Sequence, residues 1–504
     1  MPVLRGSIGA PQEEGVVPSI TSRARRQQTF DRGIDADDAG TTGAETSPPS
    51  NLADDPSLSP PPPPPPPPLG GLGDEPAEPV PAVPEFGITT ATGMPLIGPP
   101  SVDDDLEQRP LPPRGHELDP YVPIGMRLGS FLLFTEAEIG TVLTDNVLGT
   151  KTDTHSDIAL EFAPNVRLES NWARHFFLAQ FDADRTWYKD FSVEDDRIYS
   201  ALLRGRLDVT RRSHLALELE QSQTQAGRNS VSITDIAGAQ TNVYEKHITA
   251  AADHTFNRVT IEIEGTVTDY NYDDIPGTAF GVVDLTVPTG IPIRDIRDYR
   301  ENELKLRGTY EFNPELAGFV EGAIAEDDFR QPISTSGINR NASGFEALSG
   351  LIFAKPRFVG EISVGWGQLQ SIDDSLDPIE GFLLNADLIW MPTPITMVEF
   401  LARTEVDTTT LVDALGAVDR FYELSLQHAF WRFLVVRGFV SYEIADYVES
   451  PQVDERLKEG LSAEHYFNPY ASVYVRYEHT DFFSTVEASD FTENEVRIGM
   501  RLRH

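Results

Sequence analysis

Alternation of apolar and polar residues runs from about residue 121 to the end of the chain. In the last segment, Val496, Ile498, Met500 and Leu502 are separated by arginines and a glycine. A period of two is typical of a β-strand with one apolar and one polar face. Eighteen such segments can be distinguished, and no long stretch has the 3.6-residue apolar repeat of an amphipathic helix. The sequence therefore predicts an all-β fold.

The connections between these segments alternate between short and long. Short ones such as "FNR", "KPR" and "FNPY" are followed by long polar ones such as "GTKTDTHSD" and "EVDTTTLVDALGAVD". A sandwich with Greek-key connections is not expected to sort its loops in this way, whereas a transmembrane barrel has short turns on one rim and longer loops on the other. We expect a closed up-and-down antiparallel transmembrane β-barrel of about 18 strands. Sixteen strands remain possible, because the tenth to twelfth segments are the least regular.

The apolar face of each segment is predicted to meet lipid. Ile158, Leu160 and Phe162, for example, lie opposite Glu161 and Arg167. The lumen of a barrel of 16–18 strands is too wide to be filled by side chains, so its interior is wet and takes the polar face. Closure also pairs every strand edge, which a hydrocarbon environment requires. Aromatic residues near the short turns fit the interfacial girdles of outer-membrane barrels.

The polar face supplies the candidate site residues. Rings of charged side chains select ions in channels, and here acidic and basic side chains are mixed. Because acids are abundant on both the predicted wall and the long loops, we expect a weak preference for cations. The pore-lining candidates are Glu161, Arg167, Arg204, Arg206, Glu218, Glu220, Glu262, Glu264, Arg307, Glu311, Arg403, Arg437, Arg476, Arg497 and Arg501.

The first part of the chain differs in composition from the rest. Residues 1–117 contain 25 of the 39 prolines, including an unbroken run in "SPPPPPPPPP", and few large apolar residues. Such a run forms a polyproline II rod, and such a composition is typical of a disordered segment. We predict an acidic, proline-rich disordered tail over 1–117 and a barrel over 118–504. An even strand count with both termini on the short-turn rim predicts that both termini, and the tail, are periplasmic.

Composition excludes several other classes. A net charge of −40 argues against a nucleic-acid partner, and the absence of cysteine excludes disulfides and thiolate chemistry. No apolar run approaches the roughly 18 residues of a membrane-spanning helix. No hydrolase, metalloprotease or nucleotide-binding motif is present, and the histidines show no metal-ligand spacing, so no catalytic, metal or cofactor site is predicted. The N-terminus also lacks the apolar core of a signal peptide.

A resemblance to a known family rests on "DPYVPIGMRLGSFLLFTEAEIGTVLTDNV" (119–147), on the repeated hairpins and on the ending "VRIGMRLR". The chain resembles the β-barrel porin 2 family of outer-membrane proteins from α-proteobacteria over roughly 120–504. The resemblance implies an outer-membrane location, and some members are encoded near polysaccharide-export genes. It implies no catalytic motif. It also implies that the missing signal peptide results from a start codon assigned too far downstream.

Three functions follow as hypotheses. The first is a porin-like channel for small polar solutes, and the second is an outer-membrane component of exopolysaccharide secretion, for which the inward Phe439 and Tyr474 offer stacking surfaces. The third is a non-transport barrel, structural or enzymatic. The loop at 271–298 either narrows the pore or forms a hairpin above the rim. The expected partners are outer-membrane lipid and the barrel-assembly machinery, although the final His504 departs from the aromatic ending of assembly signals; the oligomeric state stays open.

Overall fold

The computed structural model of the protein describes most of the region from residue 121 to the carboxyl end. The predicted tail at 1–117 lies outside the described residues, as does nearly all of the loop at 271–298. The described residues are 121, 125–226, 241–273, 298–333, 337–373, 376–408, 416–448, 452–485 and 490–504.

Nineteen β-strands and one short 3-10 helix, Ser192–Glu194, form the described chain. All strands except the first have 13 to 16 residues, which is long enough to cross a bilayer at a tilt. In chain order they are β1 Met126–Leu128, β2 Phe131–Thr144, β3 Asp157–Ser170, β4 Phe176–Tyr188, β5 Asp196–Asp208, β6 Ser213–Ala226, β7 Thr241–Phe256, β8 Val259–Tyr272, β9 Tyr299–Asn313, β10 Leu316–Phe329, β11 Ala342–Lys355, β12 Phe358–Ser371, β13 Ile379–Thr393, β14 Thr396–Thr408, β15 Gly416–Trp431, β16 Leu434–Tyr447, β17 Val453–Asn468, β18 Ala471–Ser484 and β19 Phe491–Arg503.

The strands form one closed antiparallel barrel. Each strand from β2 to β18 pairs with the next one in the chain, and β19 pairs with β2. The barrel has 18 strands, β2 to β19, which confirms the prediction and excludes the alternative of sixteen. Among the described residues, no helix is long and apolar enough to span a membrane.

The closing ladder covers only part of β2. It runs from Glu136 to Thr144 of β2, and backbone hydrogen bonds between Thr135 and His504 end it. Below this point, β1 pairs with β2 from Leu128 opposite Phe131. The three-residue β1 therefore covers the edge of β2 that β19 is too short to reach.

The two faces of the sheet have opposite character. Leu160 and Leu217 are about half exposed, as are many other large apolar residues of the same face. Charged residues such as Glu161 and Arg307 are almost fully buried on the other face. An apolar outer surface around a polar interior is the arrangement of an outer-membrane barrel rather than of a water-soluble one.

The tight turns lie on one rim. In the β7–β8 turn, Asn257 adopts a left-handed conformation with φ 62°, which asparagine tolerates better than most residues. Aromatic rings gather at this rim, where the rings of His254 and Phe256 lie 4.2 Å apart and those of Trp431 and Phe433 lie 6.2 Å apart. The longer connections, among them the one between β2 and β3, lie on the opposite rim.

One seam of the barrel is incomplete. The ladder between β13 and β14 runs from the turn at Thr393 and Thr396 only as far as Ala386 and Ala402. Both strands continue beyond these residues, β13 to Ile379 and β14 to Thr408.

Candidate functional site: the charged inner wall

Ion pairs that pass over an intervening strand identify the concave face of the barrel. Arg501 of β19 contacts Glu464 of β17 at 2.7 Å, with β18 between them. Arg476 of β18 contacts Glu138 of β2 at 3.1 Å, with β19 between them. Side chains on the convex face diverge, so such contacts form only inside the barrel.

The densest charge network lies at the closure of the barrel. Glu138 accepts hydrogen bonds from the guanidinium groups of Arg476 and Arg501, at 3.1 and 2.9 Å. Next to it, Arg497 donates to the fully buried Glu161 at 2.7 Å and also pairs with Glu495. Arginine keeps its charge in proteins, and a buried charge is tolerated only with partners. These acids therefore hold the basic side chains against the wall.

A second network lies on the strands from β8 to β12. Arg307 contacts Glu361 at 2.5 Å and Glu321 at 3.4 Å, and its guanidinium carbon stands 3.7 Å from the ring centre of Phe319. The neighbouring Lys305 contacts Glu264 at 2.6 Å. A guanidinium stacked on a ring and paired with two carboxylates is held rigidly.

Most of the remaining inner charges form local pairs. Arg204 contacts Glu218 at 2.6 Å on β5 and β6, and Arg437 contacts Glu423 at 3.2 Å on β16 and β15. In the second pair, the side chain of Arg437 is 39% exposed and that of Glu423 is 10% exposed. Arg437 therefore reaches further into the lumen than most of the basic side chains.

All fifteen candidate residues lie on the inner face by strand alternation and register. Nine of them take part in the contacts just described. The other six make separate contacts or are placed by register. Arg167 stands over the ring of Phe134, Glu220 accepts from Ser200, Arg206 pairs with Asp208, and Arg403 pairs with Glu405. Glu262 lies opposite Arg307, and Glu311 lies opposite Ala317 near the turn. That these side chains line a conducting pore stays a prediction.

An acidic band near the rim of the long connections was not among the candidates. Glu301 of β9 lies directly opposite Asp327 of β10, and both are buried. Glu303 of β9 lies one step further into the barrel, opposite Ala325, and Glu346 of β11 lies two steps further, opposite Ala323. Like charges directly opposite each other destabilise a sheet. Alternation along β9 and β10 predicts that these acids face inward. That they lie close together on neighbouring strands depends on the strand register, which the sequence does not show.

Three inward aromatic rings cover glycines on the strand that follows. Phe319 lies opposite Gly350, Phe439 opposite Gly460, and Tyr474 opposite Gly499. The Tyr474 ring is so close to the wall that a Cβ on Gly499 would lie 2.6 Å from its Cζ atom. The rings of Phe439 and Tyr474 therefore pack against the backbone instead of standing free as stacking surfaces.

Within the described ranges, no group of three or more histidine, aspartate or glutamate side chains is arranged to hold a metal ion. The site is an ion-paired, two-signed wall.

Comparison with known proteins assigns this barrel to a family. The family model described as "Putative beta-barrel porin 2" matches residues 119–504. The chain belongs to this family. As a member of the β-barrel porin 2 family, the protein is a porin-like β-barrel of the outer membrane. A search of curated proteins finds no match.

Several solved structures are similar in fold at low sequence identity. OpdQ of Pseudomonas aeruginosa is 10% identical, with a TM-score of 0.38 over 75% of this chain and 100% of that one. OccAB4 of Acinetobacter baumannii is 9% identical, with a TM-score of 0.40 over 75% of this chain and 99% of that one. The FrpB iron transporter of Neisseria meningitidis is 8% identical, with a TM-score of 0.39 over 69% of this chain and 62% of that one.

Proposed function

We propose that this barrel is a channel for small polar solutes with a weak preference for cations. The observation that carries the proposal is the inner wall, where charges of both signs run around the barrel in fixed pairs. Such a wall keeps the lumen wet and offers a polar solute alternating donors and acceptors in place of its water shell. The cation preference is expected because the chain carries 80 acidic and 40 basic side chains, with acids abundant on the wall and on the long connections.

We further propose that the short-turn rim and both termini face the periplasm, with the acidic residues 1–117 on that side. Outer-membrane barrels with this division of loops have their short turns in the periplasm. The expected partners are outer-membrane lipid around the wall, the barrel-assembly machinery during insertion, and small solutes in the lumen. The proposed role is transport rather than catalysis.

The test is single-channel recording of the purified barrel in planar bilayers under a salt gradient. We expect ohmic openings with a reversal potential on the cation-selective side. Replacing the inward acids of β9 and β10, Glu301→Gln with Asp327→Asn, should reduce the cation preference in alkaline solution, where both carboxyl groups are ionised. Firm anion selectivity, or no openings from a barrel that migrates as folded in unheated gels, would contradict the proposal.

A matched control uses the outward acids of the same strand. Glu326 and Asp328 alternate with Asp327 and are exposed on the outside of the barrel. The double variant Glu326→Gln with Asp328→Asn removes the same formal charge as the inward pair. We expect it to leave the reversal potential unchanged, because charges outside the wall are screened within about 10 Å at 0.1 M salt.

The polysaccharide alternative loses its structural support. It depended on inward aromatic rings that stack on sugars, whereas Phe439 and Tyr474 are packed against Gly460 and Gly499.

A further inference from the structure

The seam between β13 and β14 is open in the half of the barrel nearer the long connections. Above Ala386 and Ala402 these two strands stop pairing with each other. Each still pairs with its other neighbour, because β13 stays on β12 as far as Ile379 and β14 stays on β15 as far as Thr408. The break therefore separates two intact sheets rather than frayed strand ends.

The break lies within the part of the wall that faces lipid. At the same height, the outward residues Trp366, Phe382 and Val320 are large, apolar and exposed. An unpaired strand edge in hydrocarbon costs several kcal/mol for each polar backbone group without a partner. An open seam at this depth is therefore stable only if the edges are shielded.

The edges are shielded because β13 overlaps the outside of β14 and β15. Gly381 belongs to the inner face of β13, yet a Cβ built on it lies 3.8 Å from Cγ1 of Val418. Val418 belongs to the outer face of β15, on which Leu424 and Leu426 are half exposed lower down. The inner face of one sheet thus covers the outer face of the next.

An apolar cluster fills the overlap and continues onto the lumen wall. Leu348, Leu369, Ile379 and Leu383 come from the inner faces of β11 to β13, and Val406 and Val418 come from the outer faces of β14 and β15. All are nearly or fully buried. A continuous set of apolar contacts therefore connects the inside of the barrel with its outside, which a closed ladder prevents elsewhere.

The lower end of the break is polar. The backbone N–H of Thr404 donates to the side-chain oxygen of Asn385 at 3.3 Å, where the next ladder pair would stand. Arg403 pairs with Glu405 beside it on the inner face. The apolar cluster is thus bordered by the charged wall, and an amphipathic molecule meets both surfaces in one place.

We propose that the β13–β14 seam is a lateral passage for small uncharged aromatic or aliphatic molecules between the lumen and the lipid. The proposal rests on the channel function above, and it adds a second exit and a second class of solute. Parting the overlap breaks no ladder hydrogen bonds. It separates apolar side chains whose contacts an apolar solute replaces, whereas passage along the charged lumen leaves such a solute in a polar environment.

Disulfide locking tests the passage, and the chain contains no cysteine to interfere. Gly381→Cys with Val418→Cys joins the two sheets across the overlap, where a Cβ on residue 381 lies 3.8 Å from Cγ1 of Val418. Leu351→Cys with Ile362→Cys is the matched control, because it joins β11 and β12 at an intact pair on the outer face. Both locks are opened by reductant.

The assay follows the entry of N-phenyl-1-naphthylamine, an uncharged aromatic amine that fluoresces in hydrocarbon, into intact Gram-negative cells that produce the barrel. We expect the oxidised 381–418 lock to lower the entry rate to that of cells without the protein, and reductant to restore it. The control lock should leave the rate unchanged. Single-channel conductance to potassium chloride should be the same for both locks and the parent chain.

The two proposals fail in different ways. Unchanged entry of the amine in the oxidised 381–418 variant, with normal conductance, overturns the lateral passage alone. Absence of conductance in the parent chain overturns the channel function, whatever the lock does to amine entry. Gel migration without heating shows whether the 381–418 variant folds. If it does not, Leu383→Cys with Val406→Cys links the two sheets within the same apolar cluster. Amine entry and conductance of this second variant then test the passage in the same way.

Discussion

The seam between β19 and β2 and the seam between β13 and β14 are held in opposite ways. At the first, the side chain of Thr144 donates to Glu493 at 2.6 Å, and that of Asn146 donates to the backbone oxygen of Thr492 at 2.9 Å. Charged networks on the inner face reinforce this ladder. At the second, the ladder ends after Ala386, and apolar packing replaces it.

Chain connectivity explains why the barrel tolerates this difference. The strands β13 and β14 are joined by a tight turn at Thr393 and Thr396, which keeps them neighbours even where they are unpaired. The strands β19 and β2 come from opposite ends of the barrel domain, so only non-covalent contacts close the cylinder there. The ladder is thus interrupted between two strands that a turn joins covalently. Charge pairs are concentrated between β19 and β2, which no turn joins.

The largest expected effect comes from breaking the closure network. The change Glu138→Ala leaves Arg476 and Arg501 without their shared buried partner, and neither can lose its charge. Breaking a buried pair costs about 3–5 kcal/mol, and the lower end of this range applies because Arg501 keeps Glu464 as a partner. We expect the free energy of unfolding to fall by that amount, measured from urea titrations of the barrel refolded in lipid vesicles.

The control is an acid that binds an arginine on the outside of the barrel. Asp269 accepts from Arg300 at 2.8 Å, and both side chains are exposed. The change Asp269→Ala should cost less than about 1 kcal/mol, as exposed pairs do. Equal effects of the two variants would refute the special role of the closure network.

The next effect concerns the apolar overlap. Leu383 is fully buried between the two sheets, so Leu383→Ala leaves a cavity and should cost about 3 kcal/mol. The lipid-facing Leu461 of β17 is the matched control, because lipid fills the space that Leu461→Ala vacates. The same urea titrations compare the two. If Leu383→Ala costs no more than Leu461→Ala, the overlap is not a packed core.

Alternation in the sequence was sufficient to predict the strands, the closure and the inward position of residues such as Glu161 and Arg501. It does not predict the overlap, because Ile379, Gly381 and Leu383 alternate like any other strand whether or not β14 pairs with them. Nor does it predict that Arg501 reaches Glu464 across β18. That contact depends on strand register and on the curvature of the wall, which are properties of the whole barrel.

A smaller effect tests the glycine under the closure-seam tyrosine. The change Gly499→Ala would place a Cβ within 3 Å of both the Tyr474 ring and the backbone oxygen of Ile139, so the ring or the adjoining strand must shift. Overpacking of this kind costs about 1–3 kcal/mol. Gly205, on the outer face of β5, has nothing within 4 Å of such a Cβ, so Gly205→Ala should change stability by less than about 0.5 kcal/mol. Tyrosine fluorescence and urea titration together would show whether ring displacement causes the loss.

The smallest effect is expected from an ion pair above the closure seam, outside the strands. Asp490 contacts Lys151 of the β2–β3 connection at 2.9 Å, and it also accepts from the backbone N–H of Ser484. Partial burial raises the pKa of Asp490, but these hydrogen bonds and the lysine charge outweigh it and hold the pKa below its usual 3.8. A lowered folded-state pKa stabilises the barrel above pH 3.8, and this contribution disappears as the pH falls through the lower value.

The change Asp490→Asn should therefore reduce stability at neutral pH by less than about 1 kcal/mol, since the pair is partly exposed. The difference between the variant and the parent chain should vanish in urea titrations at a pH well below 3.8 and shrink in high salt. A difference that persists under both conditions would mean that the hydrogen bond to Ser484, rather than the charge, fastens this rim. In that case the rim of the closure seam would resemble the Asn385–Thr404 contact at the open seam, which also joins a side-chain oxygen to a backbone N–H.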